Sequence, residues 1–193
     1  MGTIRPALAT HAYTSQINYF GLVFGLAAGF AAEILVGHLV GAGRLGEADR
    51  LVRRTLARAL AFSVGVTVLL ALAGPWLLRQ FTPDAGIVAL GATLLWWTVV
   101  LEPGRTFNLV VINALRAAGD VRYPVMAGAA SMLLVLAGGS WLLGQVMGLG
   151  LVGVWLAYAA DEWVRGLLMW RRWTQRRWLP HARAVRRRLR AAA

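Results

Sequence analysis

Long apolar stretches alternate with short polar segments along this chain, and five of them are long enough to cross a membrane. A helical crossing of the ~30 Å hydrocarbon core needs about 20 apolar residues. The stretches that meet this requirement predict transmembrane helices at residues 17–41, 56–78, 86–112, 123–143 and 149–170. The pattern therefore predicts an all-α, polytopic helical membrane protein, with a five-helix bundle in residues 17–170.

The boundary between the fourth and fifth predicted helices depends on glycine. Residues 123–160 contain no charge, and this stretch is too long for one crossing. Gly144, Gly148 and Gly150 interrupt it, and glycine is the residue that most often follows a helix end. We therefore expect one helix to end and the next to begin within this glycine group.

The composition supports a chain solvated largely by lipid. Apolar residues make up 59% of the sequence and charged residues 15%, whereas soluble domains have roughly 45–50% and about 25%. There is no cysteine, which excludes disulfides, thiolate metal sites and cysteine nucleophiles.

Arginine alone supplies the basic charge, and its distribution predicts an orientation. All 20 basic residues are arginines, and the formal net charge is +12. Five follow the first predicted helix, two follow the third and ten lie from Arg165 to Arg190, which places 17 on one side against Arg5 and Arg79 on the other. Since basic residues accumulate in cytoplasmic segments, we expect a cytoplasmic C-terminus and an external N-terminus.

The two ends of the chain are predicted to lie outside the bundle. Residues 1–16 are too short and too polar to cross, lack the pattern of a signal peptide, and are expected to form an external segment. Residues 171–193 are expected to form an arginine-rich cytoplasmic tail that contacts anionic lipid headgroups. This arrangement favours a lipid bilayer over nucleic acid as the partner of the basic residues.

Glu33 lies deep in the first predicted helix, roughly 12 Å from its cytoplasmic end at 1.5 Å per residue. A carboxylate at this depth costs roughly 2.5–3.5 kcal/mol on insertion scales. Gly21, Gly25, Gly29 and Gly37 flank it at four-residue intervals, a spacing that lets helices approach closely. We expect Glu33 to face neighbouring helices or a cavity, either as a titratable cation or proton site or as a hydrogen-bonded packing residue.

Glu102 lies in the third predicted helix with Arg105 one turn later, a spacing that permits an ion pair. Pro103 should kink the helix and free the carbonyl four residues before it, as in the interrupted helices that form transporter ion sites. Asn108 and Asn113 add polar groups to this half of the helix. These residues are candidates for binding a cation, a proton or a substrate; the alternative is a self-neutralised pair near the cytoplasmic interface.

Asp161, Glu162 and Arg165 form a second charged group, near the inner end of the last predicted helix. Their i+3 and i+4 spacing favours a structural ion pair. The three histidines have no metal-ligand spacing, and the sequence contains no phosphate-binding glycine loop or recognisable nucleophile and base. The sequence therefore does not indicate an enzyme, and no cofactor is expected beyond a coupling ion.

Several segments resemble the MATE (multidrug and toxic compound extrusion) family of transporters. They are residues 34–44 (ILVGHLVGAGR), 101–108 (LEPGRTFN), 114–124 (ALRAAGDVRYP), 148–155 (GLGLVGVW) and 161–166 (DEWVRG). The residues singled out in these motifs, besides the acidic candidates, are Gly37, Gly41, Gly43, Arg44, Arg116, Gly119, Asp120, Asp161, Glu162 and Arg165. The resemblance extends over about residues 7–178.

The resemblance implies an exporter of cationic or amphipathic compounds in the bacterial inner membrane, driven by inward movement of H⁺ or Na⁺. Family members have two lobes of six helices, and this chain resembles only the last five helices of the second lobe. Residues 7–16 then correspond to the external loop before them. On this interpretation the chain is a C-terminal fragment whose partner would be the missing transporter half.

Two other interpretations remain open at this stage. A five-helix protein without transport activity of its own would act as a membrane partner or as a subunit of a split transporter. A lipid-linked precursor flippase would need a wide, arginine-lined cavity, because its substrates carry pyrophosphate, and Arg105 is the one arginine predicted inside the membrane.

Overall fold

The computed structural model describes residues 4–191, with side chains from residue 6 onward, and all regular structure in this part of the chain is helical. The helices are α1 (Ile4–Gly41), α2 (Leu45–Arg79), α3 (Ala85–Ala117), α4 (Arg122–Val146), α5 (Gly150–Thr174) and α6 (Leu179–Ala191). The predicted class of polytopic helical membrane protein is confirmed. The sequence interpretation missed α6.

Four of these helices, α1 to α4, are long and apolar enough to cross a membrane. Helix α5 has 25 residues, which is long enough, but Asp161, Glu162 and Arg165 make it less apolar. Large apolar side chains such as Leu69, which is 67% exposed, cover the outside of the bundle. This surface suits lipid, and the fifth crossing stays a prediction.

The start predicted for the first helix is wrong, because α1 begins at Ile4 and not near residue 17. Residues 4–16, expected as an external loop, continue the helix. Thr10 is buried and donates its hydroxyl to the carbonyl of Pro6 (2.8 Å), so a polar residue is accommodated without breaking the helix. At 1.5 Å per residue, α1 is roughly 57 Å long, longer than a bilayer core, so this end can still project from the membrane.

The helix break within the glycine group is confirmed. Helix α4 continues from α-helix (Arg122–Ser131) into π-helical segments and ends at Val146, and α5 begins at Gly150. Gly148 and Gly150 have φ angles of +70° and +55°, which glycine adopts without the strain of a Cβ. The two helices therefore fold back on each other.

Helix α3 lies at the centre of the bundle and packs against α1, α2 and α5. Glycines on α1 permit the close approach: a Cβ at Gly25 would lie 2.8 Å from the Thr106 hydroxyl oxygen, and one at Gly29 would lie 2.6 Å from the Asn113 amide nitrogen. The expected glycine-mediated packing is thus present in this part of α1. It does not continue to Gly37, whose Cβ position has no neighbouring atom within 4 Å.

Two similar glycine turns connect the helices at one end of the bundle. Gly43, between α1 and α2, has φ +77°, and Gly119, between α3 and α4, has φ +85°. In the first turn the amide of Arg44 donates to the carbonyl of Leu39 (2.8 Å), and in the second the amide of Asp120 donates to the carbonyl of Leu115 (2.9 Å). This is the Schellman arrangement, in which a left-handed residue ends a helix. We call this side the arginine-rich end.

The arginine-rich tail expected over residues 171–193 is mostly helical over its described length. Helix α5 continues to Thr174, and α6 packs over both glycine turns through Val185 and Arg186. Trp173 and Trp178 are almost fully buried, with ring centroids stacked 4.3 Å apart. These two aromatic rings anchor the segment to the bundle, so burial of apolar surface outweighs the repulsion among its arginines.

Replacing Gly119 with alanine should destabilise the protein. The residue must keep its positive φ, which costs a Cβ-bearing residue about 1–2 kcal/mol, and the new Cβ would lie 2.6 Å from Val185 of α6. Gly46→Ala is the control, because its Cβ position is open and alanine favours a helix. We expect a lower Tm in detergent for Gly119→Ala and an unchanged or higher Tm for Gly46→Ala. Equal Tm values for the two variants would contradict this role of the turn.

Candidate functional site

A buried polar cluster joins α1, α3 and α5 inside the bundle. Its centre is Glu102 of α3, whose side chain is fully buried. Oε1 of Glu102 accepts hydrogen bonds from the amide of Asn18 on α1 (2.8 Å) and from Nη1 of Arg105 (2.5 Å). The predicted ion pair between Glu102 and Arg105 is therefore present, and it lies between helices rather than on an outer surface.

Arg105 continues the cluster toward α5. Its Nε lies 3.3 Å from Oε1 of Glu162, and Asn108 donates its amide to Oε2 of the same carboxylate (2.9 Å). The guanidinium thus bridges two acidic residues on different helices. The two charged groups that the sequence presents separately, 60 residues apart along the chain, form one network.

Arg165 and Ser131 complete the network on the far side of α5. Nη2 of Arg165 lies 2.6 Å from Oδ2 of Asp161 and 3.1 Å from Oε1 of Glu162. Ser131 of α4 donates its hydroxyl to Oδ1 of Asp161 (2.5 Å). We refer to Glu102, Arg105, Asp161, Glu162 and Arg165 as the charge cluster.

The charge cluster contains more acid than base. Three carboxylates face two guanidiniums, which leaves one negative charge when every group is ionised. Charges buried in a medium of low dielectric constant are costly unless they are balanced. The surplus negative charge therefore favours the binding of one further positive ion at this site.

Several buried oxygen atoms of the site still lack a donor among the described residues. They are Oε2 of Glu102, Oδ1 of Asn18, Oδ1 of Asn108 and Oδ2 of Asp161, the last of which lies 2.6 Å from Nη2 of Arg165 without forming a hydrogen bond. Buried acceptors are normally satisfied, and carboxylate and amide oxygens are the ligands that hard cations prefer. The arrangement can accept a proton on Glu102 or a small hard cation.

The described residues contain no group of three or more histidine, cysteine or acidic side chains that could share one metal ion. In the charge cluster the guanidiniums lie between the carboxylates and separate them. A multidentate metal centre does not fit this geometry, whereas a single proton, or an ion held by one carboxylate and amide oxygens, does.

A cavity of about 260 Å³ adjoins the charge cluster and reaches it through Asn18 and Arg105. Polar and aromatic side chains dominate its walls. The lining residues are His11, Ser15, Asn18, Tyr19, Leu22, Leu101, Arg105, Trp155 and Tyr158. The first turns of α1, expected from the sequence to be a loop, therefore form one wall of the cavity.

Pro103 lies inside α3, and the backbone carbonyl that binds a side chain beside it is not the one expected from the sequence. Helix α3 runs through Pro103 without interruption, and the carbonyl that gains a side-chain partner is that of Val100, which accepts from the indole of Trp163 (2.9 Å). A Cβ at Gly104 would lie 2.7 Å from that indole. The Pro–Gly pair thus admits an α5 tryptophan against the α3 backbone and holds α5 at the position where Glu162 reaches Arg105.

The remaining candidate residues lie apart from the charge cluster. Glu33 is half-buried on the edge of α1, with no hydrogen bond or ion pair to the described side chains, and Asn113 is buried against Gly29. Arg44 pairs with Glu47 on the surface (2.5 Å), and Arg116 is exposed. A functional role for Glu33 stays a prediction, without support from neighbouring polar groups.

The motif residues at the arginine-rich end hold the turns together. Asp120 is buried and binds Arg172, which donates from Nε (2.6 Å) and Nη2 (3.1 Å). A Cβ at Gly41 would lie 3.7 Å from Leu189 of α6. These contacts are structural, and they connect the motifs of α1 and α3 to α5 and α6.

Sequence reasoning missed Asn18, Ser131 and the aromatic wall of the cavity. Asn18 had a usable signal, because it lies three residues before Gly21 and shares the helix face of the glycines that contact α3. Ser131 had none, since its bond to Asp161 depends on the packing of α4 against α5.

The family model MatE matches residues 5–141, which include α1 to α3 and most of α4. The chain belongs to the MatE family. It is 39% identical over 173 residues, 90% of its length, to the uncharacterized transporter YisQ of Bacillus subtilis. It is also 28% identical over 86% of its length to a probable multidrug resistance protein NorM of Rhodopseudomonas palustris, and 30% identical over 89% of its length to another of Bradyrhizobium diazoefficiens.

This MatE-family chain spans only 36–38% of the length of these three relatives. No solved structure matches it. The family match includes Glu102, Arg105, Asn108 and Asn18, whereas Asp161, Glu162 and Arg165 lie beyond the matched residues.

Arg105→Gln should reduce the amount of folded protein strongly. It removes the guanidinium that touches both Glu102 and Glu162, and breaking a buried ion pair costs roughly 3–5 kcal/mol. The control is Arg44→Gln, whose 60%-exposed side chain forms a surface pair with Glu47 worth about 1 kcal/mol or less. Size-exclusion yield and Tm in detergent measure the difference. Similar losses from both variants would show that the charge cluster is not a stability determinant.

Proposed function

We propose that this chain forms the cation-coupling part of a membrane antiporter that exports cationic or amphipathic compounds. The observation that carries the proposal is the buried charge cluster, with three carboxylates against two guanidiniums, beside a cavity with aromatic walls. Membership in the MatE family and similarity to multidrug resistance proteins support it. The proposed orientation, a cytoplasmic arginine-rich end in a bacterial inner membrane, follows from the arginine distribution.

The coupling ion is proposed to neutralise the surplus negative charge. A proton would bind at Oε2 of Glu102, and Na⁺ would use the Glu102 carboxylate with the amide oxygen of Asn18. Glu102 is the favoured acid because the carboxylates of Asp161 and Glu162 already share Arg165. An intramembrane carboxylate of this kind is typical of ion and proton pathways.

The substrate class is proposed from the same charge and from the cavity walls. A cation entering the cavity would meet the rings of Tyr19, Trp155 and Tyr158, whose faces attract positive charge. The substrate cation would also neutralise the surplus negative charge of the cluster. When no substrate is bound, the coupling ion neutralises the same charge. The two cations therefore oppose each other's binding, and this negative linkage is the thermodynamic basis of exchange.

Transport is proposed to require more helices than this chain contains. Alternating access needs two bundles that move around a shared site, and the chain spans less than two fifths of the length of its matched relatives. We propose the remaining transporter helices as its partner. A flippase is not favoured, because Arg105 is the one arginine among the residues that line the cavity, and carboxylates already surround it.

Binding of a fluorescent cationic dye to the purified chain in detergent tests the proposed site. We expect the dye affinity to fall as the pH falls or as Na⁺ rises, and Glu102→Gln to abolish this competition. The same variant should weaken dye binding about tenfold, the effect of a ~1.4 kcal/mol loss. It should still fold, since Arg105 keeps its contact with Glu162.

Glu33→Gln is the matched control, since it makes the same substitution on a carboxylate outside the cluster. We expect its dye affinity and its cation competition to equal those of the unsubstituted chain. If Glu33→Gln abolished competition while Glu102→Gln retained it, the coupling site would be Glu33 and not the charge cluster. Dye export by cells that express this chain alone would contradict the requirement for further helices.

A further inference from the structure

A second cavity, of about 170 Å³, lies at the arginine-rich end, remote from the charge cluster. Its lining residues are Tyr123, Arg171, Arg172, Gln175 and Arg177. Every polar side chain on this wall is a hydrogen-bond donor, three of them are guanidiniums, and none is a carboxylate. The volume is nearly six times the ~30 Å³ share of one water molecule, so it accommodates a small anionic group.

Arg172 is held rigidly at the back of this cavity. Its Nε and Nη2 bind Asp120 at 2.6 and 3.1 Å, and its guanidinium carbon lies 4.3 Å from the ring centroid of Tyr123. The third nitrogen, Nη1, makes no hydrogen bond to a described side chain. Because Asp120 balances the charge of Arg172, the arginine contributes a fixed donor at little electrostatic cost.

Arg171 and Arg177 supply charge that no described carboxylate balances. Both side chains are exposed, and neither forms an ion pair with a described residue. The Schellman turn that follows α5, with Arg176 at φ +56°, brings Arg177 back so that its amide donates to the carbonyl of Arg172 (3.3 Å). The two unbalanced arginines therefore line the same cavity as the fixed Arg172.

We propose that Tyr123, Arg171, Arg172, Gln175 and Arg177 form a binding site for a phosphate group. Guanidinium groups match the geometry of phosphate oxygens and bind them with paired, charge-assisted hydrogen bonds. Phosphate oxygens therefore accept hydrogen bonds from the guanidinium groups of this wall, and a phosphodiester balances one of its two excess positive charges. The hydroxyl of Tyr123 already donates to the carbonyl of Leu168 (3.4 Å), so Tyr123 contributes its ring beneath Arg172.

The phosphate group is that of an anionic phospholipid. Val121, which precedes α4, and Val125 and Met126 of α4 flank Tyr123 and are 47%, 64% and 72% exposed. They form an apolar surface beside the cavity along which an acyl chain packs while the headgroup occupies the arginines. Basic pockets between transmembrane helices bind anionic headgroups in this way.

Native mass spectrometry of the purified chain in uncharged detergent tests the site. Titration with phosphatidylglycerol should give one saturable bound lipid. The double variant Arg171→Gln, Arg177→Gln should bind it about thirtyfold more weakly, at roughly 1 kcal/mol for each arginine. The control is Arg187→Gln, Arg188→Gln, which removes the same charge from exposed positions of α6 outside the cavity and should bind as the unsubstituted chain does.

Further measurements identify the source of the phosphate and check that the variants fold. Inorganic phosphate should displace the lipid only at much higher concentration; displacement at equal concentration would support the phosphate site but assign it to a soluble ligand. The variant Arg171→Lys, Arg177→Lys keeps the charge and should bind with intermediate affinity, and Tm in detergent checks that every variant folds. Equal losses in the cavity and control variants, or no loss in either, would overturn the proposal.

Discussion

The fold depends on how α3 buries charge at the centre of an apolar bundle. Moving an ionised group out of water costs several kcal/mol of free energy, and only well-placed opposite charges compensate for this cost. Within this cluster Glu102 accepts a hydrogen bond from Asn18 of α1, and Arg105 contacts Glu162 of α5. The positions of three helices are therefore coupled through one set of polar contacts, while the apolar contacts around them are less specific.

The small residues of α1 and α3 make these polar contacts geometrically feasible. Gly25 and Gly29 bring the α1 backbone against Thr106 and Asn113, and Gly104 admits the Trp163 indole. Larger residues at these positions would separate the helices and lengthen the bonds in the charge cluster. The glycines and the acidic residues of the sequence motifs are thus parts of one structural requirement.

Much of this arrangement was predictable from local sequence patterns. Apolar length located the helices, the glycine group at residues 144–150 located the turn between α4 and α5, and the i+3 spacing predicted the pair of Glu102 with Arg105. The polar residues at the start of α1 were misassigned to a loop, because hydropathy does not register side chains satisfied within a helix, as Thr10 is. Helix α6 was not predicted within the arginine-rich tail, because the burial of Trp173 and Trp178 that anchors this segment depends on tertiary packing.

The sequence alone does not predict that the two charged groups form one network. Arg105 and Glu162 are distant along the chain, and only the packing of α5 on α3 brings them within 3.3 Å. Read separately, Glu102 and Arg105 form a neutral pair, whereas Asp161, Glu162 and Arg165 carry one surplus negative charge. Because Arg105 contacts both Glu102 and Glu162, the surplus charge is shared across the network, and the proposed coupling site is Glu102 rather than the isolated Glu33.

Proton or sodium release on substrate binding tests the central claim most directly. In a weakly buffered detergent solution of the purified chain, addition of the cationic dye should release about one coupling cation per dye bound, because both ions balance the same negative charge. A pH indicator measures protons, and a sodium-selective electrode measures Na⁺. Dye binding without release of either ion would contradict the account, since the surplus charge of the cluster would then not be shared between substrate and coupling ion.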